Sequence, residues 1–429
     1  MSGRAKCQRE LLEEQENERL QEGATLSTDP KYARRRFALR PDRFRTQFHR
    51  DYTRIIHSRT FRRLRHKTQV FISPQNDHLC TRLEHSLHVA SVATTIARAL
   101  RLNEDLVAAI AVGHDLAHAP FGHAGESVLN KIAEKHGLHF SHELQSLRVV
   151  DVLDSPYPHH LGLNLTFAVR DGIVCHYGEG FESELEPDRQ KRPTALENTQ
   201  RGKTRPASLE GCVVRWADKV AYLGRDLEDA LALGLVRRRE IPWVVRRRLG
   251  ATNRRIIAGL VEELVHNGLG QGRLCVRKHV LTALNELYKF NMRKIYRSQA
   301  ATQDEHKLKP AMELMFHRLL REYNTGAWEK WTSSSRRSSS VDCLYVFGEF
   351  LKKDLKKVEK TKTQGPRLVL DFIAGMTDSF LTGRSPTCVF HKGRCRQASR
   401  WCKRPSGSAD RSCSHEANAA LAPARSTAP

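Results

Sequence analysis

Histidine and aspartate crowd into three short stretches of this sequence. They are Arg82-Leu83-Glu84-His85-Ser86, His114-Asp115-Leu116-Ala117-His118-Ala119-Pro120-Phe121-Gly122-His123-Ala124-Gly125-Glu126 and Trp216-Ala217-Asp218-Lys219-Val220-Ala221-Tyr222. His114 and His118 stand four residues apart, a spacing that puts both on one face of a helix. Asp115 adjoins His114, and the two can approach one ion from the end of a helical turn. Val107, Ala109, Ile110 and Val112 precede the pair, so an unpartnered histidine and aspartate buried there would cost several kcal/mol. A metal ion removes that cost. Mixed imidazole and carboxylate ligands suit Mn, Fe, Co, Ni or Zn, and Mg less well. The plainer reading is a hydrogen-bonded core histidine beside an ordinary aspartate, and one His-Asp pair does not decide between the two. Asp218, Tyr222 and Arg225 fall at i, i+4 and i+7, one helical face, with Asp226 a residue further on. By spacing alone Tyr222 is equally a core aromatic.

The order His, then His-Asp, then Asp resembles the signature of HD-superfamily metal-dependent phosphohydrolases. The longer strings RIIHSRTFRRLRHKTQVF, HDLAHAPFGHAGE and ADKVAYLGRDLEDA resemble the deoxynucleoside triphosphate triphosphohydrolases, in particular their bacterial dGTPase-like subfamily. The resemblance covers roughly residues 35–235 and extends weakly to DFIAGMTDSF at 371–380. It implies an all-α HD-domain helical fold with additional helices. It also implies one divalent ion (Mn, Mg, Co, Ni, Fe or Zn) held by His85, His114, Asp115 and Asp218. His123 and Glu126 become a catalytic pair, His118 a phosphate contact, and His142 a histidine near the phosphates. Tyr222 would lie under the deoxyribose, Asp226 would accept from the 3′-hydroxyl, and Gln69, Arg82 and Lys219 are candidates for phosphate or sugar. The implied reaction is hydrolysis of a dNTP at the α-phosphorus, dGTP among the substrates, to deoxynucleoside and tripolyphosphate. A homo-oligomer is implied too, as is a response to single-stranded nucleic acid or to an allosteric nucleotide. An HD-type phosphodiesterase, a 5′-nucleotidase and a non-catalytic nucleotide or nucleic-acid binder are the alternatives.

These residues need helices to bring them together. Apolar residues at Leu87, Val89, Val92, Ala93, Ile96 and Ala97 predict an amphipathic helix over 81–99. A second helix is expected from Glu104 to His118, stopped by Pro120, and a third from about Gly125. A fourth should start at Ser141 as N-cap. Another should run from Leu209 to Leu233, followed by a mostly helical stretch over 240–330 and segments at about 341–355 and 365–381. Residues 178–208 are polar and aperiodic, an insertion loop in the 31–235 core. Thr332 to Ser340 read as a linker, and residues 1–30 as a mobile polar arm with some helix.

The chain has 429 residues, 39% of them hydrophobic and 28% charged, enough for one large core or two ordinary ones. No apolar run approaches the roughly 20 residues of a membrane span, and the charged opening stretch predicts no secretory leader, hence a cytoplasmic protein. The surplus of 72 Lys and Arg over 48 Asp and Glu, +24, favours polyanionic partners. The Arg-dense segment 34–67 reads as a basic, partly buried helical stretch that could also touch such a partner, although charge runs are usually solvated faces. Beyond about 382 periodicity vanishes and Ser, Arg, Pro and Cys dominate. That tail is expected to be disordered, or non-native through a shifted reading frame, and its cysteines lack the CxxC spacing of a zinc site.

Overall fold

Side-chain caps set where the helices begin. The computed structural model describes residues 6–69, 80–177, 180–200, 202–302, 305–333, 343–358 and 365–382. Helices α1 (Gln8–Arg19), α2 (Gln47–Ile56) and α3 (Arg59–Arg63) come first. They are followed by α4 (Arg82–Ala99), α5 (Glu104–Gly113), α6 (Gly122–Glu134), α7 (His142–Arg148) and α8 (Phe167–Cys175). Then come α9 (Leu209–Ala232), α10 (Trp243–Arg248), α11 (Asn253–Gly268), α12 (Lys278–Asn291) and α13 (Gln299–Thr302). The series closes with α14 (Glu305–Asn324), α15 (Trp328–Ser333), α16 (Cys343–Val358), α17 (Gly365–Ala374) and α18 (Asp378–Thr382). Among the described residues the only sheet is a pair of two-residue strands, β1 (Glu184–Leu185) antiparallel to β2 (Leu274–Cys275). The fold is all-α, as expected.

Thr81 opens α4 with a capping box shared with Glu84, and Asn103, Ser141 and Ser208 cap α5, α7 and α9 through their side chains. Beyond its acidic first turn α5 carries only apolar residues and a glycine, and all of them from Leu106 to Gly113 except the half-buried Ala108 are buried, which makes it the central rod of the larger core. α2, α4, α8 and α9 pack around it. Each fully buried Leu, Ile or Val there contributes roughly 1.5–3 kcal/mol. A smaller core joins α6 to α14, α16 and α17.

Two expectations need correction. α5 stops at Gly113, not at His118. The amide of Ala117 donates to Ser146 Oγ at 3.1 Å, and that of His118 to Asp115 O at 3.1 Å. The helical ladder is therefore diverted by a side chain from α7 before Pro120 can act. His114 and His118 consequently do not share a helix face. Residues 6–30 are also no free arm: Glu16 accepts from Ser27 N at 2.8 Å and Asn103 Nδ2 at 3.1 Å, and Thr25 donates twice to Glu210, at 2.8 and 2.7 Å. Residues 334–340 of the expected linker and 383–429 of the expected tail lie outside the described residues.

Candidate metal centre

His85 stands in the first turn of α4 and Asp218 in the middle of α9, two helices that pack side by side. His85 Nε2 and Asp218 Oδ1 are 3.0 Å apart. The turn after α5 adds His114 and Asp115. His114 Nδ1 lies 2.7 Å from Ala111 O. A carbonyl only accepts, so Nδ1 carries a proton, and in the neutral ring Nε2 keeps a bare lone pair. That Nε2 is buried with no hydrogen-bond partner among the described residues, 3.6 Å from Asp115 Oδ2 and 3.8 Å from Asp218 Oδ1. A buried lone pair aimed between two carboxylates is the arrangement a cation relieves, and two imidazoles with two carboxylates fit a borderline divalent ion. Burial pushes the Asp218 carboxyl up, but the hydrogen bond from His85 and the neighbouring His114 outweigh it and hold the group well below the usual range. Asp115 is likewise held low, against burial, by His114 and Arg82.

Arg82 is spent on this geometry. Its Nη1 donates to Asp115 Oδ2 at 2.7 Å, while Nε and Nη2 donate to the carbonyls of Thr68 and Gln69, both at 3.2 Å. The guanidinium thus braces Asp115 against the 68–69 backbone. The Gln69 side-chain oxygen is buried without a partner among the described residues. Lys219, on the turn after Asp218, bonds the Gly180 carbonyl and lies over the Phe181 ring at 5.4 Å and the Trp216 ring at 5.8 Å. Burial and Arg215 lower it to about 8. None of its described hydrogen bonds reaches the His-Asp cluster.

A second group sits alongside. His118, His123, Glu126 and His142 place one ligand atom each within 4.8 Å of one another. Glu126 is the hub: His123 Nδ1 lies 3.2 Å from Oε2, and His142 Nδ1 lies 3.1 and 3.0 Å from Oε1 and Oε2. Burial would raise the Glu126 carboxyl, yet His142 and His123 hold it far below its usual range. His142 is lowered by burial but raised more by Glu126 and Glu143, to about 9. His118 stacks on His142, with centroids 4.6 Å apart, and burial beside Arg82 keeps it neutral well below its ordinary pKa. His123 differs from these, its side chain being 66% exposed. The turn that feeds α6 explains the layout. Phe121 and Gly122 both have left-handed backbone (φ 61 and 62), and a Cβ on Gly125 would stand 1.8 Å from Pro120 O.

Further along α9, Tyr222 is half-buried and Asp226 buried, one and two turns beyond Asp218. Burial pushes Asp226 up to about 7, although Tyr296 Oη donates to it at 2.6 Å. Arg225 turns away to Glu228 and Asp229. Tyr296 was not singled out in the sequence, nor was His176. The latter caps the C-terminus of α8, with Nδ1 2.6 Å from Ile173 O and Nε2 3.3 Å from His142 Nε2. Its one sequence signal was a histidine closing the stretch FAVRDGIVC at 167–175, with no adjacent acidic residue to mark it.

Residues 82–223 match the HD domain family, so the class defined by fold and site together is the HD domain. His85, His114, Asp115, Asp218 and the whole second group lie inside that match. Over 337 residues the chain is 39% identical to a deoxyguanosinetriphosphate triphosphohydrolase-like protein of Caldanaerobacter subterraneus subsp. tengcongensis, spanning 78% of this chain and 83% of that one. Proteins of the same description from Desulfatibacillum aliphaticivorans (36% over 385 residues, 89% and 98% of the two chains) and Clostridium perfringens (35% over 379, 87% and 95%) match as well. The chain belongs to this deoxyguanosinetriphosphate triphosphohydrolase-like family. No helix among the described residues is long and apolar enough to cross a membrane.

Proposed function

We propose that the chain hydrolyses deoxynucleoside triphosphates, dGTP among them, to deoxynucleoside and tripolyphosphate with the help of a divalent ion. The observation that carries this reading is the bare, buried Nε2 of His114 between Asp115 and Asp218, a few ångströms from a separate His-Glu group suited to proton transfer. An ion held by His85, His114, Asp115 and Asp218 would supply Lewis acidity toward phosphate and water.

The chain's own residues do the rest. Water attacks the α-phosphorus, the bond from phosphorus to the 5′-oxygen breaks, and that oxygen needs a proton as it leaves. His123 is exposed and held through Nδ1 by Glu126, which leaves Nε2 free to deliver the proton. His118 and His142, stacked beside it, are placed to contact the phosphates. Tyr222 and Asp226, one and two turns beyond Asp218, serve the sugar ring and its 3′-hydroxyl. The formal charge of +24 suits a polyanionic substrate. A homo-oligomer and a nucleotide or single-stranded nucleic acid effector belong to the same reading through the family resemblance.

Incubating the protein with each of the four dNTPs plus Mn and reading products tests this. Tripolyphosphate with free deoxynucleoside is expected, and Asp115→Ala should abolish it. Orthophosphate from a nucleoside monophosphate, or cleavage of a phosphodiester, with no tripolyphosphate from any dNTP, would replace this reading with a 5′-nucleotidase or phosphodiesterase. Hydrolysis of neither kind would leave a binder.

A further inference from the structure

We propose that Tyr296 is a positioning residue for sugar recognition: it anchors one oxygen of Asp226 so that the other accepts from the 3′-hydroxyl, and the site thereby demands a nucleotide whose 3′-hydroxyl is free. The proposal rests on the reading above, which places Asp226 at the sugar.

The argument begins with a proton whose direction is set. Tyr296 closes the turn Met292–Tyr296 that prolongs α12, outside the stretch 82–223 that matches the HD domain. Asn291, the last residue of α12, is fully buried. Its Nδ2 donates to the Leu223 carbonyl of α9 at 3.0 Å, and its side chain also hydrogen-bonds Tyr296. Asn291 Oδ1 has no partner among the described residues, so the bond to Tyr296 uses the second hydrogen on Nδ2. An amide nitrogen only donates. The Tyr296 oxygen therefore accepts there, and its own proton must point elsewhere. It points at Asp226 Oδ2, 2.6 Å away, a length typical of a hydroxyl on an ionised carboxylate.

Asp226 is buried, and Tyr296 takes its Oδ2, whereas Oδ1 has no hydrogen bond among the described residues. Burial drives this carboxyl toward its protonated form, and the hydrogen bond from Tyr296 opposes that. An anchored, ionised carboxylate can only accept. On the sugar of a deoxynucleoside triphosphate the one donor is the 3′-hydroxyl, because C2′ carries no oxygen and the 5′-oxygen carries phosphate. A triphosphate without the 3′-hydroxyl leaves a buried carboxylate oxygen unpaired, the mismatch that a site built around a hydroxyl rejects most strongly. Without Tyr296 the carboxyl is free to protonate and to turn, and the preference fades. Asn291 acts one step further back, by keeping the tyrosine proton aimed at Asp226.

The competing role is structural, a tyrosine that only fills space beside a buried acid. Comparing dGTP with 2′,3′-dideoxyGTP in the presence of Mn(II) separates the two. The unaltered full chain should favour dGTP by about 100-fold or more in kcat/KM. Tyr296→Phe keeps the ring and removes the hydroxyl. It should lower kcat/KM for dGTP roughly 10–100-fold and leave that for the dideoxy substrate unchanged or higher. In an Asp226→Asn background the same substitution should change neither. Equal falls on both substrates make Tyr296 structural and overturn the proposal. Should Tyr296→Phe not fold, Asn291→Ser, which keeps the tyrosine and withdraws the amide, is judged by the same ratio. An unaltered chain that releases tripolyphosphate from both triphosphates alike overturns the proposal while the triphosphohydrolase reading stands. No tripolyphosphate from any dNTP overturns both.

Discussion

Asp226 is a carboxyl that burial makes expensive to ionise, and its pH response follows. Its folded pKa is pushed up to about 7 from 3.8. The native state therefore keeps a proton that the unfolded chain releases, and stability tied to this group is full below pH 3.8 and lost as pH rises through 7. In the chelator-stripped protein, Asp226→Asn should gain stability relative to the unaltered chain as pH goes from 4.5 to 8, by roughly 3 kcal/mol. Denaturant midpoints at both pH values measure it, and a pH-independent difference would mean that Asp226 is ionised throughout. Arg82 supports a second prediction. Truncation to alanine frees Asp115 from its brace and should weaken metal affinity about 10–100-fold, read by Mn(II) titration. Lys at that position should not rescue it, since one ammonium cannot reproduce the guanidinium fork onto Asp115, Thr68 and Gln69. The types and order of His85, His114, Asp115 and Asp218 were readable because histidine and aspartate stand out against apolar helices. His176 was not, because its partners, Ile173 O and His142, come from backbone geometry and from a residue 34 positions away.

At the scale of elements, readable features were those set by local chemistry. The starts of α4, α7 and α9 follow from Thr81, Ser141 and Ser208. The end of α5 could not be read, because Ser146, from another helix, takes the Ala117 amide. The Arg-dense segment 34–67 reads in the sequence as a basic, partly buried helical stretch. In the structure Arg35 pairs with the buried Asp51, Arg45 with Asp42, and Arg54 reaches the Leu163 carbonyl at 2.6 Å. Part of the charge run is thus internal bracing, while Arg34, Arg36, Arg40, Arg43, Arg59, Arg62, Arg63 and Arg65 stay exposed. The turn into α6 carries its own prediction. A methyl group on Gly125 would sit 1.8 Å from Pro120 O, so Gly125→Ala must shift the first turn of α6 and with it Glu126. The variant should lose about 2–4 kcal/mol of stability and most of its turnover while still binding the ion at His85, His114, Asp115 and Asp218. Thermal melts together with Mn(II) retention check both halves.

Across the whole molecule, the site straddles two cores. His85, His114, Asp115 and Asp218 belong to helices and a turn of the larger core, whereas His123 and Glu126 ride on α6, which is anchored in the smaller one with α14 and α17. Something must hold the two in register, and the C-terminal helices do. Asp378, at the start of α18, accepts from Thr68 N and Oγ1 at 2.9 and 2.7 Å and from Phe121 N at 2.9 Å. Lys67 bonds the carbonyls of His118 and Ala374. Asp371 accepts from Gln145 at 2.9 Å and from Arg148 at 2.8 Å on α7. The weak family likeness over 371–380 thus falls on residues that touch the site from behind. Asp378→Ala leaves two backbone amides and a hydroxyl without their acceptor and should cost about 2–4 kcal/mol. Because the loop from His118 to Phe121 then loses its tether while His85, His114, Asp115 and Asp218 do not, kcat should fall much further than Mn(II) affinity. A variant that loses metal and turnover in equal measure would show instead that the two cores are not separately held, and that α18 supports the metal centre itself.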